Sequence, residues 1–254
     1  MLRCTDLTLA VPGRVLCRGL SAHFGKGEAW AILGRNGTGK STLLHALAGL
    51  SVPAAGRVEL EGKPVGSYRA RERAQALSVL LQIEPSTYWG SVLDYVRLGR
   101  YPHASGIAGY SRDDSKAAQA ALQAVGMADF GRRSFASLSG GERQRVRIAQ
   151  MLAQDAPHML MDEPLQHLDL RHQAEVLKLI ASRVTERGET AVMVLHEPLW
   201  LGRCCTHALV LFGDGTAIAG TAAEVLTRER LERAYGCALT QVGAGAQRCF
   251  LPDV

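Results

Sequence analysis

One nine-residue stretch limits the fold more than anything else in the chain. Gly34, Arg35, Asn36, Gly37, Thr38, Gly39, Lys40, Ser41 and Thr42 carry the spacing G-x-x-x-x-G-K-[ST]. The apolar run Ala29–Leu33 precedes it and a helical segment, residues 43–48, follows it. Strand, glycine loop and helix open a phosphate-binding α/β unit. Glycines let main-chain N–H groups curl around the β- and γ-phosphates of a nucleotide, and the helix N-terminus adds positive potential. Lys40 supplies a point charge to those phosphates and Ser41 an oxygen ligand for Mg²⁺.

The rest of the chain carries a matching α/β pattern. Residues 159–161, 191–195 and 208–212 are short apolar runs suited to buried parallel strands. A helix over 171–187 separates the first two, with Gly188 as its stop. Alternation over 57–61 reads as a half-buried strand, bracketed by Gly56 and Gly62. Gly213-Asp214-Gly215 reads as a hairpin turn, and Thr221 with Glu224 as the capping box of a final helix. Residues 83–137 differ, with helical periodicity from Ala117 to Val125 and no buried strand, which suggests a helical insert.

Two further motifs bear on chemistry. The run Met159-Leu160-Met161 ends in Asp162-Glu163. A parallel strand delivers such carboxylates beside the phosphate loop, since ligands bind at the C-terminal ends of the strands. There Asp162 would hold Mg²⁺ and Glu163 would polarise the water attacking the γ-phosphate. Leu138-Ser139-Gly140-Gly141-Glu142 opens an Arg-rich helix and forms a second anion-binding N-terminus. One nucleotide does not need two phosphate loops on one face, so this loop would serve the nucleotide of another subunit.

In order and spacing these motifs resemble the ATP-binding cassette (ABC) ATPases of transporters, over nearly the whole chain. The resemblance implies a P-loop NTPase (RecA-like) core with an antiparallel β subdomain and an inserted helical subdomain. Core and β subdomain would take residues 1–82 and 150–254, and the insert with the signature motif residues 83–149. Gln82 resembles the glutamine that contacts Mg²⁺ or the attacking water and couples insert to core. His196 resembles the switch histidine on the γ-phosphate. Ser139, Gly140 and Gly141 match the signature that meets the opposite subunit's nucleotide, and Asp169 matches an aspartate at the dimer interface. An ATPase with ATP and Mg²⁺ as cofactors, acting as a homodimer, is implied.

The chain also departs from the family. Val11-Pro12-Gly13-Arg14 has no aromatic residue to stack on adenine; Arg14 could stack there or be solvated. The stretch Gln166-His167-Leu168-Asp169 replaces the commoner Ser-Ala-Leu-Asp. The stretch from Val92 to His103 and the C-terminal stretch from Gly220 are similar to those of iron-siderophore, haem and cobalamin importers. This implies permease subunits, an indirect link to a periplasmic substrate-binding protein, and a place on the cytoplasmic face of the bacterial inner membrane. Tyr88 and Trp89 are candidates either for permease contact or for packing within the insert.

The alternative is a non-transport cassette ATPase acting on nucleic acid. Its support is a basic bias, a net charge of +6 over residues 1–82 and +3 over 83–150 against −4 over 151–254. Lys40 and Ser139 lie only 99 positions apart, too close for the long coiled coils of chromosome and repair ATPases, so no nucleic-acid partner is expected. The six cysteines show no CxxC pair and are expected to stay reduced, with adjacent Cys204 and Cys205 the one oddity. No stretch reaches the roughly 18–20 apolar residues of a membrane span, and the N-terminus lacks a secretory layout. A soluble, unexported protein is expected.

Overall fold

The computed structural model describes residues 1–82, 88–104, 109–196, 200–243 and 249–253. Its strands are β1 (Leu2–Val11), β2 (Arg14–Phe24), β3 (Ala29–Leu33), β4 (Ala55–Leu60), β5 (Lys63–Pro64), β6 (Leu77–Leu80), β7 (His158–Asp162), β8 (Thr190–Val194), β9 (His207–Leu211), β10 (Ala217–Thr221), β11 (Leu239–Val242) and β12 (Cys249–Pro252). Its α-helices are α1 (Lys40–Leu47), α2 (Ala70–Ala76), α3 (Val92–Arg97), α4 (Arg112–Ala124), α5 (Gly140–Ala153), α6 (Leu170–Arg187), α7 (Leu201–Cys204), α8 (Ala222–Val225) and α9 (Arg228–Tyr235).

Three sheets form. The central one has the order β10-β9-β3-β8-β7-β6, with β9, β3, β8, β7 and β6 parallel and β10 antiparallel at the edge. The second is an antiparallel sheet, β2-β1-β4-β5, and the third the hairpin β11-β12.

The period of two along a strand explains why the central runs are apolar throughout. Ala29, Ala31 and Leu33 of β3 face one core, while Trp30 and Ile32 face another. Strands β7, β8 and β9 divide in the same way: Met159 and Met161, Ala191 and Met193, Ala208 and Val210 join the first core, and Leu160, Val192 and Leu209 the second. The second core lies between the two large sheets and is filled by Leu43, Leu44 and Leu47 of α1. The first holds α6 and the helices α3, α4 and α5, which pack on one another.

Several local rules set the boundaries. Gly188 ends α6 in the left-handed region at φ 66°. Ser111 and Asp114 form a capping box that starts α4 earlier than the apolar periodicity suggests. Arg100 pairs with the same Asp114 at 3.0 Å, both largely buried, which ties the turn after α3 to α4. Helix α5 runs unbroken from Gly140 to Ala153, across residues 149 and 150.

One expectation needs correction. Thr221 and Glu224 do form a capping box, but it opens a four-residue helix and not the last one. Leu226 leaves the helical region at ψ 66°, and Thr227 caps a new helix, α9, before the hairpin β11-β12. Among the described residues no helix is long and apolar enough to cross a membrane.

Candidate active site

The loop between β3 and α1 is shaped by its glycines. Gly34 sits at φ 142°, and a Cβ there would lie 2.4 Å from the Leu211 carbonyl and 2.8 Å from Thr38 Oγ1. Only glycine lets the chain leave β3 at that point. Lys40 is buried, and its Nζ donates to the Gly34 and Arg35 carbonyls at 2.8 and 3.0 Å. Thr38 is buried too and closes the same turn by donating to the Arg35 carbonyl at 2.9 Å. The lysine thus bridges the loop from within, its charged end held at the loop rather than free in solvent.

This loop opens on a cavity of about 600 Å³. Asn36, Gly37, Gly39, Lys40, Ser41 and Thr42 form one wall, and Gln82, Glu163 and His196 converge from the ends of β6, β7 and β8. Three parallel strands therefore deliver their C-terminal residues to one point, as open α/β sheets do. Val11, Arg14 and Leu16, from the β1-β2 turn, complete the rim, and Arg14 Nη2 donates to the Gly213 carbonyl at 2.9 Å. Glu163, Gln166 and His196 also border an adjoining cavity of about 330 Å³ that reaches Trp200.

Burial sets the electrostatics. It pushes the Asp162 carboxyl above its ordinary range, a shift opposed by a hydrogen bond from Ser41. It also lowers the Lys40 ammonium, opposed by the charges of Glu163 and Asp162. Asp162 is 1% exposed, and its Oδ1 is buried without a hydrogen-bond partner. An unsatisfied buried carboxylate oxygen beside a serine hydroxyl and a cavity fits a hard, oxygen-seeking cation such as Mg²⁺. Among the described residues no group of three His, Cys, Asp or Glu assembles, so phosphate oxygens would have to supply the remaining ligands.

Glu163 stands out in its backbone. It adopts φ 51°, the left-handed region that costs a non-glycine residue roughly 1–2 kcal/mol. His196 Nε2 lies 2.5 Å from Glu163 Oε1, so the histidine and the carboxylate orient one another at the cavity edge.

The signature residues lie elsewhere. Ser139 caps α5, its hydroxyl accepting from Glu142 N at 3.3 Å while Glu142 accepts from Ser139 N at 2.8 Å. A Cβ on Gly141 would lie 2.9 Å from the His167 carbonyl, so this glycine lets residues 166–169 pack close. Asp169 caps α6 by accepting from His172 N at 2.8 Å. Ser139, Gly140, Gly141 and Asp169 do not line the cavity that holds Lys40.

The sequence model of the family described as "ABC transporter" matches residues 17–166, more than half of the chain. The chain belongs to the ABC transporter family. Curated relatives place this cassette among ATP-binding proteins of similar length. It is 37% identical to the ferric enterobactin transport ATP-binding protein FepC of Escherichia coli, over 92% of this chain and 87% of the relative. It is 38% identical to the hemin import ATP-binding protein HmuV of Gloeobacter violaceus, over 93% and 87%. Among solved structures, a metal-chelate type ABC transporter in an inward-facing conformation superimposes with a TM-score of 0.85 at 29% identity, covering 100% of this chain and 97% of that one. The dimeric cassette MJ0796 bound to ADP and Pi shares the fold at a TM-score of 0.78 and 23% identity, over 87% of this chain and 99% of that one. The cassette is therefore an ATP-binding ATPase of the transporter class, with a P-loop core, an antiparallel sheet and a helical part.

Some cavity residues were not singled out from the sequence. Gln166 follows Glu163 by three positions and faces both cavities, yet a glutamine in a loop has no pattern to reveal it. Leu16 reaches the cavity only because the β1-β2 hairpin folds over the phosphate loop, a long-range consequence of sheet pairing, and Val11 and Arg14 of the stretch expected near the base lie on the same rim. Tyr88 and Trp89 differ in their surroundings. Tyr88 packs edge-on against Tyr95 and Phe135, whereas Trp89 is 83% exposed.

Proposed function

We propose that the cassette is the ATP-hydrolysing subunit of an importer for a metal chelate or corrinoid: an iron-siderophore, haem or cobalamin. The convergence of Lys40, Gln82, Glu163 and His196 on one cavity carries the ATPase part of this reading. The importer part is supported by relatives named for ferric enterobactin and hemin, aligned over more than nine-tenths of this chain.

In this reading residues Gly34 to Thr42 cradle the triphosphate, with the Lys40 ammonium on the β- and γ-phosphates. Ser41, Asp162 and Gln82 would hold Mg²⁺, which when bound neutralises phosphate charge. Glu163 accepts a proton from the attacking water, and His196 fixes the Glu163 carboxylate and meets the γ-phosphate. Ser139, Gly140 and Gly141 bind the nucleotide of a second copy, with Asp169 at the same interface, so that two nucleotides lie between two chains. Opening of the dimer is transmitted through Gln82 to a permease on the cytoplasmic side of the inner membrane, with exposed Trp89 a candidate for permease contact. A periplasmic binding protein selects the cargo, and its identity is communicated only through the permease.

The test is co-purification and reconstitution with the permease of a siderophore, haem or cobalamin importer. ATP turnover should rise several-fold in permease-containing vesicles when a siderophore-, haem- or cobalamin-loaded binding protein is added. Stimulation by DNA or RNA alone, with none by permease vesicles, would sink the importer reading.

A further inference from the structure

Two buried polar side chains of α5 lie near the site without lining its cavity. Gln144 and Arg147 lie three residues apart on α5 and are 4% and 8% exposed. Arg147 Nη1 donates to Gln144 Oε1 at 3.0 Å. Gln144 Nε2 donates to the Pro164 carbonyl at 3.0 Å and to the Glu163 carbonyl at 3.4 Å. Arg147 Nη2 donates to the Leu81 carbonyl. Leu81 immediately precedes Gln82, so this one connected pair grips both flanks of the cavity that holds Lys40.

Burying a guanidinium and a carboxamide is costly unless their hydrogen bonds are made. An apolar pair at the same positions would pack α5 against the sheet without that cost. What the polar pair adds is direction. Glu163 holds a left-handed backbone conformation that its surroundings must impose. The two carbonyls that Gln144 binds are those of Glu163 and the residue after it, so the glutamine clamps the turn that aims the carboxylate. Helix α5 begins at the Ser139 loop. Whatever engages that loop therefore acts on Gln82 and Glu163 through a single rigid helix.

We infer that Gln144 and Arg147 are positioning residues, a relay that keeps Glu163 and Gln82 in register with the Ser139 loop. The inference rests on the reading of Glu163 as the hydrolytic base and Ser139 as the nucleotide contact across a dimer. A misplacement of about 1 Å at a reacting group can cost on the order of a hundredfold in rate.

Three variants of the full chain test the relay, each measured for kcat, KM for ATP, ATP dissociation constant and melting temperature. Gln144→Leu keeps the shape and removes the donor. Gln144→Glu keeps an acceptor for Arg147 but cannot donate to the Glu163 and Pro164 carbonyls, and serves where the leucine variant fails to fold. Arg147→Gln keeps a donor while shortening the reach to Leu81. Each should lower kcat tenfold or more, with the ATP dissociation constant within about twofold of the parent. A purely structural pair would lower the melting temperature and leave kcat per folded molecule unchanged, and that result overturns the relay. So does a loss of ATP affinity in proportion to turnover. Glu163→Gln is run alongside: if it keeps turnover, the assignment of the base fails, a result distinguishable from normal turnover in the Gln144 variants.

Discussion

The Lys40 loop and the Ser139 loop are built from the same parts and finished differently. Each places glycines at the start of a helix, the arrangement that offers main-chain N–H groups to an anion. Around the Lys40 loop the same chain supplies Gln82, Glu163 and His196, and a cavity of about 600 Å³ results. The Ser139 loop has an exposed serine and glycine at its tip, and its serine hydroxyl is engaged with its own helix through the capping box. One loop is completed by long-range convergence within the chain. The other is completed as a helix cap, and in the proposed dimer it would become a binding element when a second molecule meets it. Two chemically similar loops thus teach that the partner segments, and not the loop, decide whether a site is whole.

The comparison breaks first at Glu163. Glu163→Gln removes the proposed base and should lower kcat by roughly 10²–10⁴, while ATP-dependent dimerisation, followed by size-exclusion chromatography, persists. Turnover within tenfold of the parent would reject Glu163 as the base. Ser139→Ala gives a smaller and different effect. Loss of an N-cap costs about 1 kcal/mol, which for a chain of this size lowers the melting temperature by about 2–4 °C. ATP binding to the isolated chain, which depends on the Lys40 loop, should be unchanged in that variant, whereas turnover should fall. A matching loss of ATP binding by calorimetry would show that the two loops are not separable.

The two loops were also unequally legible in the sequence. The Lys40 loop announced itself because a fixed spacing of glycine, lysine and serine has one dominant physical use. Parallel strands were readable because residues buried on both faces leave continuous apolar runs, as in β7 and β8. Gln144 and Arg147 were invisible, since on a helix rich in arginine and glutamine nothing marks the two whose heads turn inward. The stretch from Val11 to Arg14 is marked by its place near the end of the first strand, whereas Leu16 depends on where the β1-β2 hairpin lands and Gln166 on the loop after a left-handed glutamate, neither of which has a local signal. The capping box at Thr221 does mark a helix start, but the helix it opens is not the final one. A cap fixes where a helix begins, while packing decides where it stops.

Acid separates the two loops with the smallest expected effect and the finest resolution. Glu142 in the Ser139 cap is held below its ordinary range by hydrogen bonds from the Ser139 main chain and side chain. Its depressed value means that the cap's contribution is fully present above the pKa of an unfolded glutamate, and is lost only as pH falls through the lower folded value. Asp162 beneath the Lys40 loop moves the other way, because burial raises it. It takes up a proton above the range of an unfolded aspartate, so the fold gains stability there while the proposed cation ligand is lost. As pH falls, Mg²⁺-dependent turnover should therefore decline before the helical circular-dichroism signal does. Raising the Mg²⁺ concentration should move the acid limb of the rate profile to lower pH, since the cation competes with the proton for the same oxygen. Coincident loss of turnover and helicity, with no response to Mg²⁺, would mean that the Lys40 side of the comparison has no acid sensitivity of its own.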